Sequence, residues 1–89
     1  MKIEFDPAKN DRNVALRQLS FDRAIDFDFE SAQYSIDLRK NYGEIRIQAI
    51  GYLEQRVHLL VFVEIPGGIR VISFRKANSR EVKLYESQT

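Results

Sequence analysis

Val57 to Ile65 is almost unbroken in apolar side chains and runs straight into Pro66-Gly67-Gly68. A strand wetted on one face alternates polar and apolar residues, whereas one this uniformly apolar is covered on both. The Pro-Gly-Gly turn signal then returns Ile69 to Phe74 as a hairpin partner. With 89 residues around such a hairpin there is room for one core, so one domain over residues 1–89 is expected.

The flanking segments supply the rest. Glu44 to Tyr52 alternates, setting Ile45, Ile47 and Ala49 against Glu44, Arg46 and Gln48, and predicts another strand. Ala32 to Leu38 alternates weakly and predicts an edge strand; Lys2 to Phe5 predicts a short one. Asp6-Pro7 is a helix start, a carboxylate at the N-cap and then a proline whose missing N–H costs nothing there. That helix should run to about Arg17 on a thin apolar stripe of Ala8, Ala15, Leu16 and Leu19. Ser20 caps a second helix, Phe21 to about Phe27, with Phe21, Ala24 and Ile25 on one face. Asn78 or Ser79 caps the last, Arg80 to Tyr85 or a little beyond. The expected class is α+β, an antiparallel sheet of about four to five strands with N-terminal helices and a C-terminal helix.

Composition removes several functions. Apolar residues at 44% and charged ones at 30% belong to a folded chain rather than a disordered one. Without cysteine there is no disulfide frame, thiol nucleophile or thiolate metal site, which fits a reducing cytoplasm. One histidine, and an Asp26-Asp28-Glu30 run lacking calcium-loop spacing, argue against a metal site; no cofactor is expected. The amino terminus is too polar for a signal peptide, and Leu59 to Val63 is too short to span a bilayer, so a soluble protein is expected. Net charge is +1, but residues 45–89 carry seven Lys/Arg against four Asp/Glu, while residues 1–44 carry seven against nine. A mildly basic half can attract a polyanion.

Three cations stand out in Gly67 to Tyr85: Arg70, Arg75 and Arg80. Strict strand alternation places Arg70 with Ile72 and Phe74, and Arg75 with Val71 and Ser73. An arginine beside apolar residues at a sheet rim calls for an acidic partner or an anionic ligand. A structural ion pair is the commoner of the two.

Taken in order along the whole chain, the motifs resemble the BrnT family of bacterial toxins. The matching residues are Glu4-Phe5-Asp6-Pro7-x-Lys9, Asn13, Ser20-Phe21 and Ala24, then Gly43-Glu44-x-Arg46 and Ile50-Gly51. The most specific stretch is Arg70-x-Ile72-Ser73-x-Arg75-x-Ala77, followed by Glu81 and Tyr85. The resemblance implies a RelE-like fold and an endoribonuclease toxin of a type II toxin–antitoxin pair, acting in the cytoplasm. It also implies a BrnA-like antitoxin partner, with operator DNA reached only through that complex. Two positions depart from the pattern. Phe5 stands where the family usually has tryptophan, and Leu16-Arg17-Gln18 where it commonly has Lys-His-Gly. Loss of that glycine should change the turn between the helices.

RNA cleavage without metal uses a ribose 2′-hydroxyl as nucleophile. It needs a proton acceptor, a proton for the leaving 5′-oxygen, and cations around the phosphorane. Arginine suits the last task because its fork stays charged and binds phosphate bidentately. Arg46, Arg70 and Arg75 are therefore candidates to converge on one phosphate, with Arg80 at the edge; Glu44, Glu64 and Lys9 are proton-transfer candidates. Ser73 and Phe5 are candidates for contact with substrate. His58 shares a strand face with Leu60 and Phe62 and reads as a packing residue. Tyr85 also reads as packing, while Tyr34, Tyr42 and Tyr52 are possible stacking platforms. A non-catalytic, partner-binding and autoregulatory module is the alternative reading.

Overall fold

The computed structural model describes residues 1–88. Five strands form one sheet in the order β1-β5-β4-β3-β2: β1 Lys2–Glu4, β2 Gln33–Ile36, β3 Ile47–Leu53, β4 Arg56–Ile65 and β5 Gly68–Lys76. The uniformly apolar segment is β4 at the centre, buried without a break from Val57 to Phe62. Its hairpin with β5 turns through Gly67 at a φ of 79°, as glycine permits. The sheet is mixed rather than wholly antiparallel, since β1 lies parallel to β5, Ile3 opposite Ile69. Glycine at position 68 allows that pairing: a Cβ there would sit 1.9 Å from the Lys2 carbonyl oxygen.

A β-bulge decides which way the arginines of β5 point. Val61 pairs with Ser73 but Phe62 pairs with Val71, so Ile72 is an extra residue with no partner on β4. Ile69 and Val71 face the main core before the bulge, and Phe74 faces it afterwards. Arg70, Ser73 and Arg75 consequently share the opposite face. Strict alternation had placed Arg70 with Phe74; the inserted residue reverses that assignment.

The main core lies on the face lined by Ala49, Leu60, Phe62, Val71 and Phe74 and is covered by Leu19, Phe21, Ala24 and Phe27. The last group comes partly from a 3₁₀ helix, Phe21–Asp26, where an α-helix was expected. Buried Phe21, Ala24 and Phe27 fall at every third residue, the 3₁₀ period, and Ile25 is left exposed. Helix α1, Pro7–Arg17, begins at the expected Asp6 cap but lacks the expected apolar stripe: Leu16 is exposed, and Asn13 is its buried residue. The Asn13 amide donates to the carbonyls of Leu19 and Phe74, both at 2.9 Å. This satisfies β5 backbone beyond the reach of β1. The turn after α1 survives the missing glycine, because Gln18 itself adopts the left-handed conformation, φ 52° and ψ 37°. Helix α2, Ser79–Ser87, packs Val82 and Tyr85 against Val57, Ala77 and Ile50 on the other face of the sheet. Asn78 caps it in a reciprocal box with Glu81.

Candidate functional site: an arginine pair held on one carboxylate

Glu44 and Arg46 do not sit on a strand as expected; β3 begins at Ile47, and both residues lie in the segment leading into it. That segment is fastened by Asp37, whose carboxylate is almost wholly enclosed and accepts two hydrogen bonds from the Arg39 guanidinium, at 2.9 and 2.8 Å. It also accepts from the Arg39 backbone N–H and from the Tyr42 hydroxyl at 3.1 Å. These bonds, the Arg39 side chain first, hold the Asp37 carboxyl far below the usual carboxylate range. Tyr42, so fixed, offers its ring to the Arg46 guanidinium, whose carbon stands 4.0 Å from the ring centroid.

Arg46 Nε donates to Glu44 Oε2 at 3.1 Å, and Arg70 Nη2 donates to Glu44 Oε1 at 2.5 Å. Two guanidinium groups, one from the loop and one from β5, thus meet on a single carboxylate. The hydrogen bond from Arg70, and then that from Arg46, lower the Glu44 carboxyl below its ordinary value. All three side chains retain contact with solvent. The arrangement is a cationic fork already bridging an anion of carboxylate size.

The other candidates disperse. Arg75 does not join Arg46 and Arg70: it makes a bidentate pair with Glu81, at 2.8 and 2.9 Å, and ties β5 to α2. Arg80 is exposed on the first turn of α2. Lys9 lies with Ser73, Arg12 and Asn13 in a groove of about 200 Å³ between α1 and β5, not beside Glu44. Phe5 packs edge-on against Phe21, ring centroids 5.8 Å apart, so its aromatic face serves the core. Glu64 is exposed near the β4–β5 turn. Tyr52 and Tyr85 pack against each other, and Tyr34 donates to the Phe29 carbonyl. His58 is buried against Phe74, as its strand face suggested. Sequence reading missed the Asp37–Arg39–Tyr42 fastening that positions Arg46; its trace in the sequence is an Asp-x-Arg spacing followed by tyrosine, which is weak in isolation.

Among the described residues, no three His, Cys, Asp or Glu side chains come together as a metal-binding set. No helix among them is long and apolar enough to cross a membrane. A family model described as the ribonuclease toxin BrnT of type II toxin–antitoxin systems matches residues 5–81. No curated protein matches the chain.

Proposed function

Because the chain belongs to the BrnT family of endoribonuclease toxins of type II toxin–antitoxin systems, we propose that it cuts RNA without metal at the Arg46–Arg70 fork. RNA as substrate and an antitoxin protein as partner follow from membership. The observation that carries the site is the pair of guanidiniums converging on Glu44. A phosphodiester presents oxygens of similar spacing to a carboxylate and gains charge as its phosphorane forms, so it competes for the fork best in the transition state.

Displaced from the fork, Glu44 loses the two hydrogen bonds that depress its carboxyl. It then becomes a stronger base positioned beside the phosphate. The ribose 2′-oxygen attacks phosphorus as its proton passes to Glu44. The bond from phosphorus to the 5′-oxygen breaks, and water protonates the departing oxygen. The products are a 2′,3′-cyclic phosphate and a 5′-hydroxyl. Arg75 acts through α2 rather than on the phosphate, and Lys9, Ser73 and Arg80 contact the flanking strand. A BrnA-like antitoxin in the cytoplasm covers the fork, and operator DNA is bound only by that complex.

The test is cleavage of a labelled RNA in excess EDTA by wild type, Arg46→Ala and Arg70→Ala. Loss of either guanidinium should lower the rate by about 10²–10³-fold, the scale for removing one donor from a developing oxyanion. Arg80→Ala, which removes only one contact to the flanking strand, should cost far less than either fork variant. Cleavage abolished by EDTA, or unchanged in both fork variants, would overturn the mechanism.

A further inference from the structure

A second groove, of about 1130 Å³, opens at the other end of the sheet, between the α1–3₁₀ turn and the β3–β4 turn. Arg46 lies just before β3 and Arg70 near the start of β5, whereas this groove takes Leu53 to Arg56 and the end of β5. Arg70 and Lys76 are separated by six residue steps along the strand, or about 20 Å at ~3.3 Å per step. The small Lys9–Ser73 groove adjoins the larger one, with which it shares Leu16 and Arg17.

Its charges are not internally balanced. Arg23 pairs with Asp26 and Glu54, and Arg75 with Glu81. Arg17 donates to the neutral amide oxygen of Asn13, and among the described residues neither Arg56 nor Lys76 shows a carboxylate partner. Among the described residues, these three cations therefore line one concavity without a paired carboxylate, which invites a phosphate.

His58 lies in the same groove. Its Nδ1 is 2.8 Å from the Arg56 carbonyl oxygen, which only accepts, so Nδ1 carries the proton and Nε2 of the neutral ring is an acceptor. Nε2 makes no protein hydrogen bond, and the one enclosed, unpartnered side-chain polar atom among the described residues is Gln33 Oε1. Nε2 is therefore not fully enclosed, on a ring that lines the groove. Burial, and then the charges of Arg56, Lys76 and Arg23, push the imidazole below its ordinary value, against the opposing effect of the Arg56 carbonyl. A neutral acceptor gains nothing from a proton-free phosphate oxygen; it suits a hydroxyl.

We propose that this groove is a second ribonucleotide subsite, in which Arg17, Arg56 and Lys76 hold a backbone phosphate and His58 Nε2 accepts a hydrogen bond from a ribose 2′-hydroxyl. The subsite distinguishes RNA from DNA at a nucleotide away from the one being cut. It rests on the reading of the chain as a ribonuclease but not on the Arg46–Arg70 fork. The charged groups lining the groove around the ring are Arg17 of α1, Arg23 of the 3₁₀ helix, Glu54, Arg56 and Lys76, while Arg75 turns its guanidinium to Glu81. The charges of Arg56, Lys76 and Arg23 disfavour protonation of His58, and a bound anion would oppose that effect.

The test uses ribonucleoside 3′-monophosphates, which carry both groups and cannot be cleaved, beside their 2′-deoxy counterparts. His58 is the single histidine, so its imidazole resonances report the groove alone. The ribonucleotide should shift those resonances and bind about tenfold tighter than the deoxynucleotide, the worth of one good hydrogen bond. His58→Phe, which keeps the packing on Phe74, should erase that difference. Arg17→Ala with Arg56→Ala should weaken both ligands. Equal binding of the two nucleotides by wild type, or resonances that do not move, would overturn the subsite even if RNA is cut at the fork. If RNA is not cut but this discrimination is present, the catalytic reading fails while the subsite stands.

Discussion

Gln18 shows how one residue can keep a turn at a cost. Its left-handed backbone, φ 52°, closes α1 by sending its N–H to the Val14 carbonyl. A side chain in that region crowds its own backbone, and glycine does not. Gln18→Gly should therefore raise stability by about 0.5–1 kcal/mol, net of the extra freedom glycine has when unfolded. Urea denaturation measures this; an unchanged or lower midpoint at constant slope would mean that the Gln18 side chain contributes elsewhere. Glu44 carries the opposite lesson. Its carboxylate looks like a base in the sequence, yet the two arginines that hold it make it a weak one.

Among the elements, β1 depends most visibly on a single neighbour. Three residues long and parallel to β5, it is anchored by the Lys2 N–H donating to the Gly67 carbonyl at 2.8 Å. Gly68→Ala would drive a methyl group into the Lys2 carbonyl and should detach the strand, costing about 1–3 kcal/mol as overpacking does. Amide exchange is the direct readout: Lys2 should lose its protection while β3 and β4 keep theirs. Retained protection at Lys2 would show that the backbone yields without unpairing. Helix α2 is secured differently, through Glu81, which closes the capping box and grips Arg75. This explains why Arg75 does not join Arg46 and Arg70.

For the molecule as a whole, acid is the weak side. Asp37, Glu44 and Glu81 all sit below the ordinary carboxylate value because hydrogen bonds from Arg39, Arg70 and Arg75 favour the charged form. Each contributes stability that is complete above the unfolded value of about 4 and is lost as pH falls toward the depressed folded value. His58 acts in the same sense. Its lowered value favours the neutral ring in the folded state, so its contribution is present above about 6.5 and fades as pH falls. The urea midpoint should fall steeply below about pH 4. Asp37→Asn should be less stable than wild type at pH 7, and the gap should narrow as pH falls below about 4, where the unfolded Asp37 carboxyl takes up its proton. A gap that persists in acid would assign the loss to shape rather than charge.

The central hairpin, the Asp6 and Asn78 caps and the α+β class were legible because each rests on local rules: apolar period, turn residues and capping side chains. The order of BrnT motifs likewise lies in the chain itself. Local rules could not give the Ile72 bulge, which has no signature in an alternating strand and yet turns Arg70, Ser73 and Arg75 to one face. Nor could they separate three arginines of equal appearance. Arg70 reaches Glu44 across 26 positions, Arg75 turns to Glu81, and Arg80 stays on the surface. The sequence determined which charges the protein has and which segments form its sheet. Tertiary structure decided which charges find a partner, because an ion pair depends on a few ångströms between residues that the chain brings together only when folded.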